Sequence, residues 1–351
     1  MKTYQKTVLL AAALASAANA GVNVYGDAVV GLKYNTSTFS TNNNDNHFNL
    51  DGGTYAAGNS HLNFAASEAG KSGKGAYALA QVNVDLTGQN ANADSFNSGQ
   101  TYIGYKFDKL DIRMGKLNSL VYDYVGSMNQ LGHFGTDIAV FDAMRGASTV
   151  ADYPNSYGPT YERNATNGVF RAATNVGPAE VAADVVLSTD SGRDWDYAEI
   201  GTKFSLQHID LSAVYQTANS AVSNAWAGRD TAAIGARYKM SNMTSDRRLK
   251  DLELMATYAS YSKDPTNGED CAYSVGLKMN NTSVLYQTSQ AQDQARVNVS
   301  HVLPVSKSTD FGIEGQIPVS QAYVANNTGA AGNTTKQQDN GFVTAYVAYK
   351  F

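Results

Sequence analysis

From Gly21 to Phe351 the residues alternate between apolar and polar with a period of two, and the alternation renews itself in segment after segment. Val22, Val24, Ala28, Val30, Leu32 and Tyr34 share one parity, against Asn23, Asp27 and Lys33 on the other. Ala78, Ala80, Val82, Val84 and Leu86 stand in the same way against Gln81, Asn83 and Asp85, and Ile209, Leu211, Ala213 and Tyr215 against Asp210, Ser212 and Gln216. The chain closes on Val343, Ala345, Val347, Tyr349 and Phe351. Successive side chains of a strand point to opposite faces, so each segment reads as a strand with one apolar and one polar side. Composition agrees: only 16% of residues are charged, and Asn, Thr, Ser, Gln and Gly, all poor helix formers, carry the polarity.

About sixteen such segments are present, near residues 22–36, 57–68, 75–87, 98–107, 110–118, 166–176, 179–189, 194–205, 208–218, 229–240, 251–262, 271–280, 282–291, 293–303, 309–321 and 340–351. Short connections, such as those at Asp108-Lys109, Gly177-Pro178 and Asn280-Asn281, follow every second strand, and longer polar ones fall between. Tight turns at one end, long loops at the other and an even strand count describe an all-β transmembrane antiparallel barrel, with lipid-facing residues alternating with lumen-facing ones. A soluble sandwich would bury its apolar parity rather than repeat it on every strand, and no fixed-length repeat suggests a solenoid. Tyr34, Tyr105, Phe107, Phe204, Tyr349 and Phe351 lie near strand ends, where interfacial aromatic girdles form.

The first twenty residues differ in kind. Lys2 and Lys6 precede the apolar run Val8 to Ala15, too short to span a bilayer, and then Ala18-Asn19-Ala20. This reads as a secretory signal, residues 1–20, cleaved after Ala20 to leave a single domain of residues 21–351. The net charge of -5 with no Lys/Arg block argues against a nucleic-acid partner. The lone Cys271 forms no intramolecular disulfide and leaves no cysteine cluster for a metal. His47, His61, His133, His208 and His301 are scattered, with no metal spacing and no Gly-x-Ser-x-Gly, so neither enzyme chemistry nor a metal or cofactor is expected.

Several short runs resemble the Gram-negative general diffusion porins. Val22-Asn23-Val24-Tyr25-Gly26 is similar to that family's first strand and His61-Leu62-Asn63-Phe64 to its second-strand motif, where Arg commonly stands in place of His61. Tyr102-Ile103-Gly104-Tyr105-Lys106, Gly115-Lys116-Leu117-Asn118 and Val121-Tyr122-Asp123 resemble the strands that enter its third loop. Tyr161-Glu162-Arg163-Asn164 resembles the return from that loop, and Ala348-Tyr349-Lys350-Phe351 the terminal assembly signal. The resemblance implies a sixteen-stranded barrel and a homotrimer in outer-membrane lipid and lipopolysaccharide. It also implies a third loop, about 119–165, folded into the lumen to narrow a passage for small polar solutes and ions. The sequence supports such a loop independently: Phe134, Ile138, Val140, Phe141, Met144, Val150, Tyr153 and Tyr157 are too apolar for a solvated tail and need a surface to pack against.

In the family pattern, acids on the loop face a basic cluster on the wall. Carried over, the wall positions are Lys116 and His61, with Arg145 or Arg163 as a third, and the loop positions fall on Asn129 and His133, leaving Asp137 and Asp142 as the nearest acids. Asp123 and Asp152 are weaker acidic candidates that serve equally well as turn caps. Parity complicates the wall. With Ile112 and Met114 facing lipid, Arg113 points inward and Lys116 outward unless a bulge at Gly115 shifts the register, and Arg171 has inward parity on the next strand. A sugar- or anion-specific channel and a surface adhesin share the architecture. Only two Trp are available for a sugar track, and the inward Tyr25, Tyr77, Tyr102 and Tyr346 are not evidently aligned.

Overall fold

A computed structural model describes residues 21–35, 47–51, 60–68, 73–84, 86, 96–129, 166–188, 194–219, 230–240, 251–264, 268–289, 294–319, 321–325, 334–338 and 341–351. Nearly all of the described chain is strand: β1 Gly21–Asn35, β2 His47–Asp51, β3 Ser60–Ser67, β4 Gly75–Val84, β5 Phe96–Lys106, β6 Leu110–Leu117, β7 Thr166–Val176, β8 Ala179–Leu187, β9 Trp195–Ser205, β10 Ile209–Ala218, β11 Asp230–Lys239, β12 Leu252–Asp264, β13 Gly268–Met279, β14 Thr282–Ser289, β15 Gln294–Pro304, β16 Thr309–Pro318, β17 Gln321–Ala325, β18 Thr334–Gln338 and β19 Phe342–Lys350. Between β6 and β7 stands a short helical segment, Val121–Val125 followed by Gly126–Asn129. No helix among the described residues is long and apolar enough to cross a membrane.

Each wall strand pairs antiparallel with its neighbours in sequence, and β1 pairs with β19, Asp27 opposite Lys350 and Asn35 opposite Phe342, so the sheet closes on itself. Both β2 and β3 pair with β1, β2 against residues 31–35 and β3 against 21–27, which makes them two halves of one wall position. The 17 strands of the sheet therefore fill sixteen positions. Ser60 bridges the gap between the halves: its Oγ accepts the Val29 N–H at 2.8 Å and donates to the Val29 carbonyl at 3.2 Å, satisfying backbone groups the ladder leaves open.

Period two is visible in the accessibility of neighbours. On β11, Ile234 is 55% exposed whereas Ala233 is 1% exposed, and the same contrast runs through β8, β10, β12 and β19. Val24, Leu32, Ile103, Ile200, Leu211, Val275, Ile313 and Val347 all stand on the outside, while Gln216, Thr231, Ser274, Gln287, Glu314 and Thr344 are buried on the inside. An apolar exterior on every strand is what a wall immersed in hydrocarbon requires. The strand-end aromatics pair as rings: Tyr105 with Phe107 at 4.6 Å and Tyr349 with Phe351 at 6.3 Å at one rim, Tyr34 with Phe48 at 4.8 Å at the other.

Two features depart from the sequence reading. The connection between β12 and β13 spans residues 265–267, where the segments 251–262 and 271–280 left a longer loop, and strands of 13 and 12 residues absorb the difference. A separate two-stranded hairpin, β17 with β18, rises between β16 and β19. The run TTKQQ of β18 carries no apolar parity, so periodicity had no signal there. The tight turns behave as read: Asn280 takes φ 53 between β13 and β14, the left-handed conformation that Asn tolerates in a two-residue hairpin.

The outward face generates a direct test. Ile234→Lys should lower barrel stability in lipid vesicles by about 2–4 kcal/mol, the cost of a cation at the bilayer midplane. Urea unfolding followed by tryptophan fluorescence reads the change, and an unaffected midpoint would show that this face does not meet hydrocarbon.

Candidate functional site

The inner face of the barrel carries a belt of polar side chains in direct register. Arg113 on β6 lies opposite Arg171 on β7, Arg171 opposite Asp184 on β8, Asp184 opposite Glu199 on β9, and Glu199 opposite Gln216 on β10. Two arginines side by side would repel. Each is matched by its own carboxylate: Arg113 donates from Nη2 to Asp111 at 2.7 Å, and Arg171 donates to both oxygens of Asp184 at 2.8 and 2.7 Å.

Residues 118–129 leave the top of β6 and turn inward onto this belt. Arg171, buried, holds them with two further bonds, to the Asn118 carbonyl and to Asp123 Oδ2, both at 2.6 Å. Glu199 accepts the Leu120 N–H at 2.6 Å while Gln216 Nε2 holds its other oxygen at 2.5 Å. Ser119 Oγ accepts the Tyr122 N–H at 3.1 Å, capping the first helical turn. At the far end Arg237 Nη2 donates to the Met128 carbonyl at 2.7 Å and more weakly to that of Ser127 at 3.3 Å, a cation against the open carbonyls of a helical end. Tyr124 donates to Glu180 Oε1 at 2.6 Å, and burial together with that carboxylate raises the phenol above the usual tyrosine range, so it stays a donor.

Beneath the polar contacts lies an apolar one. Leu120, Val121, Tyr124 and Val125 pack on Ala173, Ala182, Val214, Ala233, Ala259 and Ala272, small inward residues contributed by β7, β8, β10, β11, β12 and β13. Gly201 and Gly235 complete this floor. A Cβ at Gly201 would stand 3.1 Å from the Tyr124 ring, and one at Gly235 would stand 2.8 Å from Met128 Sδ, so larger residues would lift the segment. Small residues on one arc of the wall thus make a seat, and the segment occupies the β7–β13 side of the bore.

The positions singled out by sequence fall as follows. Arg113 is lumen-facing and half-buried, held by Asp111 and by the Tyr77 hydroxyl at 2.9 Å, with its guanidinium 5.9 Å above the Tyr102 ring. Tyr77 and Tyr102 are themselves edge-to-face at 6.2 Å, so these two inward tyrosines are neighbours. Arg171 joins the loop anchor. Lys116 lies opposite Thr101, between Gly115 and the buried, inward Leu117. Gly115 has φ 142, a Cβ there would collide with the Thr101 carbonyl, and the β6–β7 register shifts between Gly115 and Leu117. The shift sets two residues of β6 against three of β7, so the extra residue lies on β7, while pairing with β5 runs unbroken through Gly115; Arg113 and Leu117 both stay inward and Lys116 keeps the opposite parity. His61 lies on β3, three wall positions from β6, its Nε2 3.5 Å from Asp27 Oδ2. The backbone of Asn129 ends the helical segment. Its side chain lies outside the described residues, as do Arg145, Arg163, His133, Asp137, Asp142, Asp152 and residues 1–20.

Sequence reasoning missed Asp184, Glu199, Glu180 and Arg237, and treated Asp123 as a weak candidate. A signal was present: Glu180, Asp184, Glu199 and Arg237 all have the inward parity of their strands, where a charge must face water or a partner.

A family model described as Gram-negative porin matches residues 7–351. Among solved structures, the chain is similar to the anion-selective porin from Comamonas acidovorans, with 14% identity and a TM-score of 0.68 over 95% of this chain and 100% of that one. A mutant of the Rh. blastica porin aligns at 14% identity and a TM-score of 0.57, over 94% and 100% of the two chains. OmpT of Vibrio cholerae in a trimer form aligns at 13% and 0.58, over 95% and 99%. No curated protein matches in direct sequence comparison.

The anchor predicts its own energetics. Arg171→Met leaves the buried Asp184 without its cation and should cost about 3–5 kcal/mol, as breaking buried pairs does. Adding Asp184→Leu should recover part of that loss, and urea titration of both variants in vesicles separates this outcome from simple additivity.

Proposed function

Because the chain belongs to the Gram-negative porin family, and so forms an outer-membrane channel for passive diffusion, we propose that its bore passes small hydrophilic solutes and ions through an eyelet between the third loop and the facing wall. Members of this family are channels rather than enzymes, so the proposed work is transport without bond chemistry. The observation that carries the reading is the seat of small residues on the inner wall, which fixes residues 120–129 inside the bore at the height of the Arg113–Arg171 belt. Width and field there govern passage: polar solutes cross while a low-dielectric surround strengthens each charge.

On the wall we assign the eyelet to Arg113, Arg171, Lys116 and His61, with Arg145 or Arg163 completing it, and on the loop to Asn129, His133, Asp137 and Asp142. The inward register of Arg113 and Arg171 supports the first pair, while Lys116, on the opposite parity of β6, enters on the family resemblance alone. We further propose that residues 1–20 are removed as an export signal, which Lys2 and Lys6, the short apolar run Val8 to Ala15 and Ala18-Asn19-Ala20 support. The constriction loop runs over residues 119–165. The assembly is a homotrimer set in lipid and lipopolysaccharide, a reading supported by the trimer form of a similar OmpT.

Planar-bilayer recording tests the whole. Insertion of the purified protein should give three equal conductance steps without saturation by oligosaccharide. Absence of conductance would remove the channel from this chain, and saturable block would replace general diffusion with a specific pathway. Neutralising Asp137 and Asp142 together should move the reversal potential in a salt gradient toward anions, and an unmoved potential would take both out of the eyelet.

A further inference from the structure

Tyr77 on β4 stands opposite Gly104 on β5, and Gly104 stands opposite Arg113 on β6, so the three residues form one row across the inner wall. Ile103 and Tyr105, on the alternate parity of β5, are exposed outside. The middle member of the row has no side chain, and the Tyr77 ring lies in the space this leaves. A Cβ at Gly104 would stand 2.7 Å from the Tyr77 hydroxyl oxygen and 2.8 Å from its Cε1. Tyr77 therefore reaches across a whole strand, and its hydroxyl arrives at the charged groups of β6. It donates to Asp111 Oδ1 and accepts the Arg113 Nε–H at 2.9 Å.

Asp111 and Arg113 lie two residues apart on one face of β6, and Arg113 donates to Asp111 Oδ2 from Nη2 at 2.7 Å and from Nε at 3.2 Å. The Tyr77 hydroxyl adds a contact to each of them and ties the pair to β4. Tyr102, edge-to-face with Tyr77 at 6.2 Å, puts its ring 5.9 Å from the guanidinium, within reach of the attraction between a cation and a ring face. The side chain so held is 30% exposed, in contact with the water of the bore. It also stands opposite Arg171, whose Nη1 holds Asp123 of the inward segment at 2.6 Å, so the row meets the bore beside that segment.

We propose that Tyr77 is a positioning residue for ion selectivity: through the gap left by Gly104 its hydroxyl holds the Arg113 guanidinium down on Asp111 and so sets how far that charge stands into the ion path. The proposal rests on the channel reading and adds a determinant of its selectivity. The sign follows from side-chain length. Arg113 is long and Asp111 short, so releasing the pair carries positive charge toward the axis while the carboxylate stays at the wall, and anions gain. A unit charge displaced by about 2 Å, at roughly 6–8 Å from a passing ion, changes the anion-to-cation permeability ratio about twofold at low salt.

Reversal potentials across a gradient of about 10 to 30 mM KCl, where screening is weak, read this ratio for the purified protein in planar bilayers. Tyr77→Phe keeps the ring over Gly104 and removes only the hydroxyl, and it should raise relative anion permeability about twofold. Gly104→Ala displaces the ring and should move the potential the same way, so that failure of one variant to assemble leaves the other decisive. Arg113→Gln should shift the ratio toward cations about two- to threefold, and Tyr77→Phe added to it should change nothing further, because a positioning residue acts only through the group it positions. Lys106, opposite Asp111, and Arg171, opposite Arg113, are the same in every variant and drop out of the comparison. Native selectivity in any of the single variants, or an equal Tyr77→Phe shift with and without Arg113, overturns the proposal. A native protein that conducts nothing overturns the channel reading instead, which keeps the two failures apart.

Discussion

A backbone crossing hydrocarbon must give every N–H and C=O to another strand, because each group left open costs several kcal/mol and no water is present to take it. The pairing of β1 with β19 meets that demand and removes the last free edge. Everything else in the molecule follows from closure. Sixteen wall positions make a cylinder too wide for inward side chains to fill, so the centre holds water. Once water is inside, inward residues are selected for polarity, outward ones for apolarity, and period two runs the length of the chain.

Closure also explains why the third loop is held so firmly at its start. The hydrophobic effect is absent between the outer wall and lipid but present inside, where the bore is wet. Burying Leu120, Val121 and Val125 on the alanine seat contributes roughly 1.5–3 kcal/mol for each side chain, enough to keep the segment on the wall. The Arg171 network works differently. Buried ion pairs roughly break even against desolvation, so Asp184 and Asp123 add little net affinity, but a segment displaced by an ångström would strand a buried charge. Apolar burial thus supplies the holding force, and the ionic contacts fix the position at which the segment rests.

The alternation of residues such as Val343, Ala345 and Val347 is repeated evidence for one geometric fact, and so the barrel, its strand count and its faces were legible before any coordinates. Parity also placed Arg113 and Arg171 inside. What parity lacks is the third dimension. Nothing in the spacing of Glu199 and Leu120, 79 residues apart, says that they meet. Ala182, Ala233 and Ala259 look like unremarkable strand residues until β8, β11 and β12 align them into a seat. Position-by-position likeness gave Lys116 as a wall charge, whereas the alternation of β6, unbroken from Arg113 to Leu117, puts it on the face opposite Arg113.

Among the described residues, charge in this bore is mostly cancelled where it stands. Arg113 meets Asp111, Lys239 meets Asp210 at 2.6 Å, Lys350 meets Asp310, and Arg171 is shared between two aspartates. Counting basic and acidic residues therefore says little about the field a permeating ion feels, since a matched pair a few ångströms across is a dipole whose potential falls off rapidly in water. The field is set by what local pairing leaves over. A wide, water-filled cylinder with self-compensated walls makes a permissive filter, and its discrimination then comes from the few side chains whose charge is not already spent on a neighbour.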